Sequence, residues 1–251
     1  DHPQLEELML KLGQMGAELS ISSLRMAPLS GVVLRELARG GARTVTLAPE
    51  AGSQRLRHMI KKGISQDDIL KAIEMVAEQG IKQVKLYFMI GLPSETDEDI
   101  EKIIDLSLDC KRLLDSKLPG SRLSLNISPF VPKAGTPFQW LPMAQPAVLN
   151  RRLSRLKQGL MPSGIKIKSE SPAWSQIQGV LARGDARLAR VLAEIEEVSL
   201  SGWRRAAAKN KIDTDFYAHQ RWDIRQKLPW DMIDSGTKAG YLELELKRAS
   251  G

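Results

Sequence analysis

Apolar residues in the first 140 positions follow two rhythms. Short runs stand at residues 19–26 (LSISSLRM), 44–48 (TVTLA), 83–90 (QVKLYFMI) and 123–130 (LSLNISPF), and each predicts a strand. Between them the apolar positions repeat at helical spacing. Ser65 with Asp68 makes a capping box ahead of Ile69, Leu70, Ile73, Val76 and Ala77, and Gly80 closes that helix. Thr96 with Asp99 opens another, carrying Ile100, Ile103, Ile104 and Leu114 on one side. A helix begun near Ser30 ends at Gly40 and Gly41. This alternation predicts parallel βα units, in an open sheet or a barrel segment. Four strands are too few for a closed eight-stranded barrel, and no G-x-G-x-x-G follows any of them.

Beyond residue 140 the composition shifts. Residues 1–140 hold 18 basic and 18 acidic side chains, and residues 141–251 hold 19 and 12, so the whole net charge of +7 lies late. All five tryptophans (Trp140, Trp174, Trp203, Trp222 and Trp230) fall at or after that point. The expected organisation is an α/β part over 1–140 and a basic, tryptophan-rich, mostly helical region over 141–251. Residues 145–160 predict a basic amphipathic helix with Arg151, Arg152, Arg155 and Lys157. Arg183, Arg187 and Arg190 make a second stripe, continued by Arg204, Arg205, Lys209 and Lys211. Basic residues interleaved with aromatics suit a nucleic-acid backbone and its bases. Acids such as Glu194, Glu196, Glu197, Asp213 and Asp215 interrupt the stripe, however. The expectation is a solvated helix face, with tryptophans packing this region onto the α/β part.

The 251 residues allow a sizeable core. One cysteine, Cys110, excludes a disulfide scaffold. No apolar run is long enough to predict a membrane span, and the opening residues lack the regions of a signal peptide. A cytoplasmic protein is expected. The first residue is not methionine, which suggests a piece of a longer chain.

In parallel α/β folds, chemistry gathers where strands end. Here those places are Arg25, residues 50–53, 91–96 and 128–137, with the Gly- and Pro-rich loops APEAGS, GLPSET and SPFVPKAGTPF. One such loop reads as a tight βα turn; three in succession predict a site. The stretches SSLRMAPLS, TVTLAPEAGSQRLRHMIKKGIS, VKLYFMIGLPSETDEDI and ISPFVPKAGTPFQW, in this order, resemble the C-terminal half of a radical S-adenosylmethionine (SAM) barrel. The nearest likeness is to the uncharacterised, cobalamin-binding-type branch, whose tail LPWDMIDSG also resembles.

That resemblance implies an α/β fold, a six-stranded partial (β/α) barrel of which these strands are the third to sixth. It implies an Fe–S oxidoreductase-like enzyme acting on an unknown substrate. Glu50 falls at the ribose-contact position, Lys62 at the position meeting the methionine carboxylate, and Arg25 and Ser53 point to the same cofactor region. Met89, Ile90 and Gly91 would run along the adenine, and Phe130 would close the site from the last strand. The bland alternatives are a solvated turn for Glu50, plain surface for one of Lys61 and Lys62, and core packing for Met89.

The superfamily's 4Fe–4S cluster needs three thiolates. Cys110 shares a helical face with Ile103, Ile104 and Ser107 and reads as a small buried apolar residue. His2, His58 and His219 offer no ligand spacing. The cluster, and cobalamin where it is used, therefore belong to a longer parent protein, with truncation favoured over a degenerate homologue. A truncated barrel would expose a sheet edge, which predicts pairing with the missing N-terminal half or homodimerisation. The function classes weighed are a radical SAM enzyme fragment, an RNA-binding or RNA-modifying module of that superfamily, and a non-enzymatic α/β binding protein.

Overall fold

Strands β1 (Thr44–Glu50), β2 (Gln83–Ile90), β3 (Arg122–Pro129) and β4 (Lys166–Ser169) lie side by side in that order in one parallel sheet. The computed structural model describes residues 2–238 and 240–250. Its α/β architecture is consistent with a segment of a β/α barrel. The alternation of side chains along each strand decides which face is covered. Val84, Leu86 and Phe88 of β2 and Leu123, Leu125 and Ile127 of β3 are buried. Gln83, Lys85, Tyr87 and Met89, and likewise Ser124, Asn126 and Ser128, project from the other face and are only half-buried.

Among the described residues, helices α1 (Leu5–Gln14) and α2 (Gly31–Arg39) precede β1, α3 (Gln54–Met59) and α4 (Gln66–Glu78) link β1 to β2, and α5 (Asp97–Lys117) links β2 to β3. Both expected capping boxes form, Ser65 with Asp68 on α4 and Thr96 with Asp99 on α5. Ile69, Ile73 and Val76 of α4 are buried, as are Ile100, Ile103, Cys110 and Leu114 of α5. The two helices pack together. Helix α6 (Pro146–Leu160) leads to β4, and α7 (Pro172–Ala182), α8 (Leu188–Ala193), α9 (Leu200–Lys209), α10 (Thr214–His219) and α11 (Tyr241–Ser250) complete the chain.

The fold divides into two compact units. The first comprises Asp1–Met89, Thr96–Ser128 and Leu153–Ser169; the second comprises Ile90–Glu95, Pro129–Arg152 and Glu170–Gly251. The second unit has its own core, in which Trp140, Trp203, Trp222, Val180, Val191 and Tyr217 are buried together and Trp230 packs against them.

Four expectations need correction. Residues 19–26 do not form a strand: only Leu24 bridges β1, opposite Leu47. Serines at 20, 22 and 23 deny that segment a continuous apolar face. The fourth strand is instead β4, whose four residues alternate two lysines with Ile167 and Ser169. Arg183 is not part of an exposed stripe, because its side chain is wholly buried. Nη1 of Arg183 donates to the Leu141 carbonyl and Nη2 to the Gln220 carbonyl, and the guanidinium lies 4.1 Å from the centre of the Trp222 ring. Trp174 is not buried: it is 40% exposed on α7.

Candidate functional site

In the first unit the site is built where β1 ends. The strand runs through Pro49 because the register with β2 shifts between Leu47 and Glu50, at a bulge where a missing N–H breaks no ladder. Glu50 then takes a left-handed backbone (φ 68°), which turns the chain out of the sheet. Its carboxylate accepts a hydrogen bond from Lys62 Nζ at 3.1 Å. The two side chains are 28% and 31% accessible, so the pair is reachable from solvent. Lys62 is brought there by the end of α3: Lys61 also has a positive φ (55°), and the Lys62 N–H returns to the Arg57 carbonyl.

The loop between strand and helix is held from below. Ser53 caps α3 by accepting from the Leu56 N–H, and its hydroxyl donates to Asp99 Oδ1 at 2.5 Å. Asp99 also accepts from Arg55 and from the Thr96 N–H. Burial works to raise the Asp99 pKa, but these donors together hold the carboxyl below its ordinary range. Gly52 lies against the start of α5 so closely that a Cβ would sit 2.3 Å from the Ile103 nitrogen. Arg57, 1% exposed, donates to the carbonyls of Ala51, Gly52 and Ile64.

Of the expected residues in this unit, Glu50 and Lys62 meet each other. Ser53 faces Asp99. Arg25 is exposed, one residue past the Leu24 bridge to β1. Met89 projects, half-buried, from the sheet face opposite the apolar row.

In the second unit the loop GLPSE is cinched by a buried ion pair. Glu95 Oε2 accepts from the Gly91 N–H at 2.5 Å and from Arg152 Nη1 at 2.6 Å, and Arg152 Nη2 donates to the Glu95 carbonyl. Gly91 has a positive φ (81°), and a Cβ there would lie 2.8 Å from Leu149 Cδ2 and 3.1 Å from Ala144 Cβ. Leu149 and Ala144 thus account for the missing side chain. The Phe130 N–H donates to the Ile90 carbonyl, and the Phe130 ring meets Phe138 edge-on at 5.7 Å. Ile90 is fully buried.

Arg57, Asp99, Glu95 and Arg152 are positioning residues that the pattern did not disclose. Asp99 read only as a cap, and Arg152 as one of four surface charges on a helix.

A parallel β/α sheet with charged, accessible side chains at a strand's C-terminal end defines the class of α/β proteins that act through strand-end loops. Comparison with known proteins narrows this. Residues 1–107 match the family described as the radical SAM superfamily, and this match supports placing the chain in that superfamily. An uncharacterized protein of Methanocaldococcus jannaschii is 36% identical over 192 residues, which cover 76% of this chain and 41% of that protein. An uncharacterized methyltransferase of Pyrococcus horikoshii is 28% identical over 123 residues, covering 47% of this chain and 27% of that protein. The chain thus spans less than half the length of either relative.

The superfamily implies SAM and usually a 4Fe–4S cluster. The donor set of this chain does not fit the cluster. Cys110 is fully buried on α5, and its thiol is pushed up to about 12 by burial first and by neighbouring Asp109 second. Among the described residues no group of three His, Cys, Asp or Glu side chains could hold a metal ion. Nor, among them, is any helix long and apolar enough to cross a membrane.

Proposed function

We propose that this chain supplies the SAM-holding loops of a radical SAM enzyme. The Glu50–Lys62 pair carries the reading. It stands 3.1 Å apart and accessible at the end of β1, within the segment that matches the superfamily. SAM offers each half a new partner: ribose hydroxyls donate to Glu50, and the methionine carboxylate accepts from Lys62. One ion pair is exchanged for two sets of charge-assisted contacts. Arg25, Ser53 and Met89, all of the first unit, are assigned to the border of this contact region. SAM supplies the radical chemistry of the superfamily when it is bound beside a cluster. That cluster, and cobalamin if the parent uses it, is held by residues outside this chain. We assign residues 1–140, together with β4 (Lys166–Ser169) of the same sheet, to the barrel part, and the rest of 141–251 to an appended region. Methyl transfer is the first reaction class to assay in the parent, given the name of the Pyrococcus relative.

The test is calorimetric titration of SAM into this chain and its variants. Glu50→Gln and Lys62→Ala should each weaken SAM about ten- to a hundredfold, the effect of losing one hydrogen-bonded charge. Variants that bind SAM as the parent does would refute the assignment.

A further inference from the structure

The strand starts, at the opposite end of the sheet from Glu50, hold a second feature. A cavity of about 370 Å³ lies within the first unit, lined by Thr44, Gln83, Lys85, Arg122, Ser124 and Lys166 among others. All six belong to the first residues of β1, β2, β3 and β4. The sheet register explains why they converge. Thr44 is paired with Gln83, and Ser124 with Lys166. The Arg122 N–H donates to the Lys82 carbonyl, which in a parallel ladder sets Arg122 beside Gln83 and Ser124 beside Lys85. Lys85, Ser124 and Lys166 therefore occupy one row across three adjacent strands. Two strand spacings separate the lysine backbones, about 10 Å. Side chains of that length can bring both ammonium groups onto one ligand above Ser124.

The electrostatics are one-sided. Lys85, Arg122 and Lys166 line the cavity, and no carboxylate does. Among the described residues none of these three side chains makes a hydrogen bond or an ion pair. Three cations held on one face repel each other until an anion neutralises them. Gln83 adds an amide donor, its Oε1 accepting from the Thr44 hydroxyl at 3.1 Å, while the Ser124 hydroxyl donates to the Val84 carbonyl at 3.5 Å. The mouth is open at Gly164, where a Cβ would meet nothing within 4 Å.

We infer that this cavity is a binding site for a small phosphate-bearing molecule carrying two or more negative charges. Three cations exceed what a single carboxylate needs, and the volume suits a metabolite-sized ligand. The guanidinium of Arg122 supplies the planar fork that phosphate oxygens accept, and the lysines act as point charges on either side. The site lies at the other end of the strands from the proposed SAM contacts and does not rest on that reading.

The experiment is calorimetric titration of the chain with pyrophosphate, and separately with glycerol 3-phosphate, at low and moderate salt. One-to-one binding is expected, with Lys85→Gln and Lys166→Gln each weakening it about tenfold or more. Lys102→Gln, on the exposed side of α5, should leave it unchanged; thermal unfolding of each variant confirms the fold. Tighter binding of pyrophosphate marks a diphosphate site, and tighter binding of glycerol 3-phosphate a monoester site. No binding at millimolar pyrophosphate would overturn the inference. So would equal weakening by Lys102→Gln, or displacement of pyrophosphate by single-stranded RNA at lower concentration, which would make the patch a nucleic-acid surface.

Discussion

Replacing Arg57 by methionine tests how the loop after β1 is held. The guanidinium makes four hydrogen bonds: to Ala51 O at 3.0 Å, Gly52 O at 2.7 Å, Ile64 O at 3.2 Å and Gln54 Oε1 at 2.8 Å. Methionine keeps the apolar stem and donates nothing. Ile64 O retains the Gln54 Nε2 donor at 3.1 Å. Two carbonyls, those of Ala51 and Gly52, then lose the guanidinium, at about 1–3 kcal/mol each for a buried acceptor. Relief comes from no longer burying a charge, since desolvation already lowers the Arg57 pKa. The expected net loss is about 3 kcal/mol, a large share of the roughly 5–15 kcal/mol that holds a typical domain. Urea denaturation followed by far-ultraviolet circular dichroism measures it. Arg112→Met provides the contrast: that side chain is 74% exposed and pairs with Asp109, so its loss should cost no more than about 0.5 kcal/mol. An Arg57→Met protein within about 1 kcal/mol of the parent, with an unchanged denaturant slope, would refute the claim that this guanidinium holds the loop.

Cys110, with its thiol raised to about 12, should resist a neutral-pH disulfide reagent in the folded chain and react in urea with the midpoint of the first unit's unfolding; rapid labelling without denaturant would contradict its burial. Tyr217 is raised to about 12, by burial first and then by its hydrogen bond to Asp185. Its folded pKa exceeds its unfolded one, so its contribution is fully present below about pH 10 and lost as pH rises towards 12. Tryptophan fluorescence, whose emitters all lie in the second unit, should show the parent losing stability over that window and Tyr217→Phe losing less. Equal losses in the two proteins would count against the linkage.

The elements that could be read from the chain are those whose signals are local. Both capping boxes join residues three apart, and β2 and β3 are eight-residue runs with a strict inward row. Where the signal is short or mixed, reading fails. Residues 19–26 contain enough apolar positions for a strand, yet pair with β1 at Leu24 alone. β4 has four residues, half of them lysine, and its place is fixed by pairing with β3 rather than by its own pattern. Tryptophans mislead in the same way. Trp203 and Trp222 are core residues and Trp174 is not, a difference set by neighbours distant in sequence.

Charge is the least legible property, because a sequence shows that a side chain is ionised and not what surrounds it. Arg57 and Arg183 look like surface charges, yet both are buried against carbonyls, partners that every residue carries and none announces. Arg55 finds Asp99 across 44 residues, and Arg152 finds Glu95 across 57. Likeness to a family assigns Glu50 and Lys62, twelve apart, to two parts of one ligand, but their contact with each other is not legible, since nothing in the spacing of a strand end and a helix end requires them to meet. Lys85 is the one charge in the run QVKLYFMI. Its meaning depends on Lys166, which lies on the strand that went unrecognised. Once β4 is placed beside β3, the two lysines fall into one row with Ser124 between them, and an apparent interruption of a strand becomes half of a cationic cavity.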